Sequence, residues 1–126
     1  MRLFVPAKDF AQSQDFYRTL GFKVNLASPR MALAALEGGG GSLSFLIQDF
    51  YVQDLAENLM LQWIVPDIAP WWERLSSLRL EEVFGVKAAK APVREPWGTV
   101  AYFWDPSGVL WHLTSLNKPS PDSEAA

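Results

Sequence analysis

Few side chains in this sequence could do chemistry. The 126 residues include one histidine, His112, and no cysteine. Thiolate nucleophiles, disulfides, CxxC redox centres and thiolate metal sites are therefore excluded. An imidazole has an ordinary pKa of about 6.5, so His112 could serve as a general base or as a hydrogen-bond donor to a ligand. A half-buried histidine satisfied by its neighbours is the alternative, and no acidic or nucleophilic partner stands near it in sequence. Tyr102 lies ten residues earlier, on an expected paired strand and the same face. Its hydroxyl could bond the imidazole or a ligand, or its ring could simply pack. The run Gly38-Gly39-Gly40-Gly41 lacks the Gly-Lys-Ser/Thr ending of a phosphate loop and joins two strands, so it reads as a flexible hairpin.

Composition narrows the remaining chemistry. Hydrophobic residues make up 49% and charged residues 20%, which describes one packed globular domain rather than a disordered or fibrous chain. The net charge is −3 with Lys and Arg scattered, which argues against nucleic-acid binding, since that requires phosphate neutralisation. No apolar run approaches the roughly 20 residues of a membrane span, and the N-terminus shows no signal-peptide pattern, so a cytoplasmic protein is expected. Six Trp, eight Phe and three Tyr are many aromatics for this length. Some of them are expected to line a surface or pocket.

The elements that must position these residues follow from spacing. Residues 2–7 read as a strand. Asp9 caps a helix, with Gln12 completing a capping box and Gly21 supplying a left-handed stop. The period then changes to two, giving strands over 22–28, 31–37 and 42–48. A strand over 59–65, the cap Asp67 and a helix through Leu78 open the second half, with Ile68, Trp71 or Trp72, Leu75 and Leu78 inward. Residues 80–88 read as a strand, 90–97 as a Pro-rich loop, and 99–104 and 109–115 as strands joined by the turn Asp105-Pro106-Ser107-Gly108. The polar, Pro-rich residues 117–126 are expected to be a disordered tail.

The halves repeat. Ile64-Val65-Pro66-Asp67-Ile68 lies over Pro6-Ala7-Lys8-Asp9-Phe10 at an offset of 58. Residues 41–48 lie over 108–115 at an offset of 67, so the second copy carries nine extra residues, placed around 87–97. The expectation is an α+β domain over 1–116, built of two tandem βαβββ modules (1–50 and 58–116). If the strands alternate, Phe4, Phe45, Met60, Gln62, Val100, Tyr102, Leu110, His112 and Thr114 share one face of the sheets, and Leu3, Val5, Leu61, Trp63, Val65, Trp111 and Leu113 face the helices.

Two stretches carry a family resemblance: Pro6-Ala-Lys-Asp-Phe-Ala-Gln-Ser-Gln-Asp-Phe-Tyr-Arg-Thr-Leu-Gly-Phe, and Trp97-Gly98 through Tyr102-Phe103-Trp104-Asp105-Pro106-Ser107-Gly108-Val-Leu-Trp-His112-Leu. Over residues 1–116 the chain resembles the vicinal oxygen chelate superfamily of glyoxalase I, extradiol dioxygenases, fosfomycin-resistance enzymes and bleomycin-resistance proteins. The resemblance implies that the curved mixed sheets surround a central cleft, lined by the first of those two sets of side chains, and that a homodimer completes the site. It also implies four metal-ligand positions, which the repeat puts at Arg2, Phe45, Met60 and His112. That set cannot hold a catalytic divalent ion, which takes about three N or O ligands. The chain thus looks most like the metal-free bleomycin-resistance branch, in which a Trp beside the glycine stacks on the ligand; that role falls to Trp97. The function implied is sequestration of a planar or aromatic small molecule, as in antibiotic resistance, with no cofactor. Phe4, Phe45, Met60, Gln62, Trp97, Tyr102, Trp104 and His112 are the expected contacts. The alternative is a metal-dependent lyase or dioxygenase of the same superfamily, completed by a partner subunit.

Overall fold

The computed structural model describes residues 2–36 and 43–117. Module one runs β1 (Phe4–Pro6), α1 (Phe10–Leu20), β2 (Lys23–Ser28), β3 (Met31–Leu36) and β4 (Leu43–Gln48). A linking helix α2 (Gln53–Asn58) leads into β5 (Met60–Ile64), α3 (Ile68–Ser77), α4 (Leu80–Phe84), β6 (Lys90–Glu95), β7 (Gly98–Trp104) and β8 (Leu110–Leu116). Two four-stranded sheets result, ordered β1-β4-β3-β2 and β5-β8-β7-β6. In each, the first strand lies parallel to the last and the other pairings are antiparallel. The wiring occurs twice, as the two tandem βαβββ modules read from the sequence. The glycine run 38–41 and residues 118–126 of the expected tail lie outside the described residues.

The local signals that matched are the caps. Asp9 accepts from the Gln12 N–H at 3.1 Å, and Asp67 from the Ala69 N–H at 3.1 Å. Gly21 closes α1 at φ 112°, a backbone region that glycine enters without a Cβ clash. The expected capping box is only half made: the Gln12 side chain donates to the Phe84 carbonyl at 3.4 Å instead of returning to Asp9. Replacing Asp9 by Ala is expected to lower stability by about 1 kcal/mol, the usual worth of such a cap. A urea midpoint unchanged from that of the parent would show that water replaces the cap.

Two expectations are corrected. The strand over 80–88 is instead the short helix α4, because Leu80 and Phe84 fall on one helical face, Glu81 and Glu82 occupy its first turn, and Gly85 stops it at φ 70°. The loop over 90–97 contains strand β6. Its Pro92 is tolerated because β6 is a sheet edge, and the register shifts between Lys90 and Val93. Helix α2 falls in a stretch to which the sequence assigned no element; of its six residues only Ala56 is buried, so it offers no periodic signal.

The inner faces of the two sheets meet in one aromatic core. Phe45 of β4 lies 5.4 Å from Trp111 of β8 between ring centroids, and Tyr17 of α1 lies 4.9 Å from Phe45. Trp63 and Trp71, at 4.9 Å, tie α3 to the second sheet. Within this core the Tyr17 hydroxyl donates to Asp105 Oδ2 at 2.7 Å and accepts from Trp111 Nε1 at 3.0 Å. Asp105 Oδ1 takes the N–H groups of Ser107 and Val109 at 2.9 and 3.0 Å. One carboxylate thereby shapes the β7–β8 turn and fastens module two to the first helix. Burial outweighs its donors and raises the Asp105 carboxyl to about 6. Burial, then the neighbouring carboxylate charge, pushes Tyr17 well above the ordinary phenol value.

Candidate functional site

The second sheet turns its other face to solvent, and strand pairing writes three rows across it. Trp104, Leu110 and Met60 form one row, Tyr102, His112 and Gln62 the next, and Val100, Thr114 and Ile64 the third. Five expected site residues, Met60, Gln62, Tyr102, Trp104 and His112, are therefore neighbours on one surface. Met60 is 64% exposed, while Val100 and Thr114 form a buried floor. Ile64, Val93 and Leu116 extend the exposed apolar area. So large an uncovered apolar face is unusual unless a ligand or partner covers it. The His112 ring meets Tyr102 edge-on at 4.8 Å, and its Nε2 is buried without a hydrogen-bond partner among the described residues. A group bound on this face would meet that nitrogen once the ring turns outward, and the bond would be donated or accepted according to the tautomer.

The other three expected residues do not join them. Phe4, 53% exposed, shares the open face of the first sheet with Leu46 and Leu33. Trp97, 47% exposed, occupies the turn between β6 and β7. Phe45 points the opposite way from the expected cleft: it is 2% exposed and packs on Tyr17, Phe22 and Trp111. The cause is the register of the repeat. Pro6 pairs with Gln48 and Ile64 with Thr114, so the last strands correspond at an offset of 66, one less than the sequence match suggested. A shift of one residue exchanges the faces of a strand. Leu46, not Phe45, is the counterpart of His112, and Phe45 is the counterpart of Trp111. Arg2 is exposed ahead of β1.

With that register, residues suited to a divalent ion are still wanting. Among the described residues, no three His, Cys, Asp or Glu side chains come within reach of one ion. The position matching His112 in module one is an aliphatic carbon chain, and His112 has Gln62 and Tyr102 beside it. This donor set does not fit a catalytic zinc or iron centre. Sequence reasoning missed two cations here. Lys87 and Lys90 place their ammonium groups 5.5 and 5.9 Å from the Trp104 ring centroid. Lys90 was hidden by reading β6 as a loop; its pairing with Tyr102 puts it on the open face.

Among the described residues, a duplicated βαβββ scaffold carries an open sheet face with aromatic rings and no group of side chains suited to a divalent ion. The chain belongs to the Glyoxalase/Bleomycin resistance protein/Dioxygenase superfamily, whose model matches residues 2–113. Comparison with curated proteins finds no match. Among solved structures, the chain is similar to a bleomycin-binding protein complexed with bleomycin, at 24% identity and a TM-score of 0.71, covering 93% of this chain and 98% of that one. It is similar to an antibiotic-binding protein, TnmS3, from Streptomyces sp. CB03234, at 26% identity and a TM-score of 0.67, covering 91% and 93%. A third is the bleomycin-binding protein of bleomycin-producing Streptomyces verticillus complexed with copper(II)-bleomycin, at 20% identity and a TM-score of 0.74, covering 93% and 95%. No helix among the described residues is long and apolar enough to cross a membrane.

Proposed function

We propose that this chain is a binding protein of the bleomycin-resistance type, which sequesters a planar or aromatic small molecule without a metal and does so as a homodimer in the cytoplasm. The observation that carries this is the uncovered face of the second sheet, where Met60, Gln62, Tyr102, Trp104 and His112 stand in adjoining rows. Apolar burial at about 25 cal/mol per Å² and ring stacking supply the affinity, and His112 and Gln62 fix orientation. Phe4 lies on the open face of the first sheet rather than the second, so its contribution to a cleft is that of a second copy. The antibiotic-binding structures to which the chain is similar support the ligand class. The lysines beside Trp104 disfavour a strongly cationic drug.

Native mass spectrometry of the protein purified without chelator, followed by calorimetry with bleomycin and a neutral planar intercalator, tests the reading. The expected result is a metal-free dimer that binds at least one of the two, with affinity reduced about ten- to a hundredfold in Tyr102→Ala, as loss of a buried ring contact implies. Trp97, like Phe4, meets a ligand on this face only from a second copy, so Trp97→Ala is expected to weaken binding by the dimer while leaving the thermal midpoint nearly unchanged, because the ring is half exposed. One divalent ion per chain, lost in His112→Ala, would replace this reading with a metal-dependent lyase or dioxygenase. A monomer that binds neither ligand would remove it.

A further inference from the structure

We propose that the chain carries a second ligand site, for a flat aromatic anion such as an aryl carboxylate, in the groove between the β7–β8 turn and the segment after α4. The groove holds about 480 Å³, within the size range of small-molecule sites. Its walls come from Lys8 of the β1–α1 turn, Tyr51 and Glu57 of the link between modules, and Lys87 after α4; Trp104 and Ser107 border the turn. Two of these segments break the repeat: α2 joins the modules, and α4 with residues 85–89 has no counterpart between α1 and β2. The parts of the chain that the duplicated scaffold does not need converge on one groove.

Its chemistry is cationic and aromatic. Lys8 Nζ stands 5.5 Å from the centroid of Tyr51, and Lys87 Nζ stands 5.5 Å from that of Trp104. Neither lysine has an ion pair among the described residues. Of the two carboxylates at the groove, Glu57 is held by the Gln53 amide at 3.2 Å, and Asp105 is turned inward onto Tyr17. The ammonium groups are thus available to anionic oxygens beside the rings of Trp104 and Tyr51, which carry the lysines over their faces and border the same groove. A cation would meet two like charges, and a neutral apolar molecule would desolvate both lysines without return. The floor is fixed before any ligand arrives, because the Lys8 N–H donates to Ser107 Oγ at 2.9 Å and Asp105 holds the Ser107 and Val109 N–H groups. Little ordering remains for binding to oppose.

The test titrates the full chain with 2-naphthoate and with its neutral twin 2-naphthamide, by calorimetry and by NMR at the Trp104 indole and the Ser107 and Gly108 amides. Naphthoate is expected to bind at least tenfold more tightly than the amide and to shift those three resonances. Lys8→Gln and Lys87→Gln should each weaken it three- to tenfold, whereas Lys23→Gln, on the far sheet, should not. Ile64→Lys, on the open sheet face two rows away from Trp104, should leave naphthoate binding intact even where it abolishes drug binding, so the two sites fail separately although Trp104 borders both. Equal affinity for the two probes, no binding of either, lysine variants without effect, or shifts centred on Gln62 and His112 would each overturn the second site.

Discussion

Asp105→Ala is expected to lower unfolding free energy by about 3–5 kcal/mol, a large part of the roughly 5–15 kcal/mol that holds a domain of this size together. The change strips the acceptor from the Tyr17 hydroxyl and from the Ser107 and Val109 N–H groups, all inside the core. Each buried donor left unsatisfied costs about 1–3 kcal/mol, and the lost turn shape adds to that. Equilibrium denaturation measures it; a loss below about 1 kcal/mol would mean that water enters and replaces the carboxylate. The same group also gives a pH signature. Its pKa is raised in the folded chain from 3.8 to about 6, so the folded state holds the proton more tightly than the unfolded one. Stability from this group is therefore full below pH 3.8 and is lost as pH rises through about 6, a change of about 3 kcal/mol. Asp105→Asn does not titrate, so the parent minus variant difference should fall across that window. A flat difference would show that the carboxylate's donors cancel its burial.

Gly98→Ala is the second large effect, about 2–3 kcal/mol from overpacking against backbone that has little room to retreat. Gly98 has no positive φ to require glycine. The requirement is space: a Cβ there would press on the Ser115 carbonyl oxygen and lie 3.0 Å from Leu116 Cα. Both atoms belong to β8, the strand that carries His112, and Gly98 pairs with Leu116 at the end of seven β7–β8 pairs. Relief would require opening that end of the sheet, where Asn117 also ties the Trp97 and Pro96 carbonyls through bonds of 3.0 and 2.7 Å. Amide exchange at Val100 and Leu116 should accelerate in the variant. An undisturbed exchange pattern with unchanged stability would show that the hairpin yields freely.

Much of the fold can be read from the chain because its signals are local. Asp9, Gly21 and Asp67 mark helix ends by side-chain and backbone chemistry within a few residues, and both sheets repeat one wiring. What could not be read depends on partners far away in sequence. Leu80 and Phe84 alternate plausibly as a strand, and only the left-handed stop at Gly85 and the packed Phe16–Phe84 rings, 5.3 Å apart, settle a helix. The site suffered from the register of one strand. Weak identity between β4 and β8 allowed an offset one residue too long, and that single step moved Phe45 from the core to the expected cleft. Met60, Gln62, Tyr102 and His112 were unaffected, because their shared face follows from alternation within module two.

The sheet order also has a colloidal consequence. Among the described residues, four strands lie at sheet margins, with no strand paired along one side. β1 is three residues long and ends in Pro6, β2 begins with Lys23, and β6 carries Lys90, Pro92 and Arg94. Short length, proline and charge each discourage a foreign strand from adding. β5 has none of these: its sequence is Met-Leu-Gln-Trp-Ile. In concentrated stocks of the isolated chain, self-association should begin along β5, and the five residues 60–64 are the stretch that fibril-forming solution conditions would recruit first.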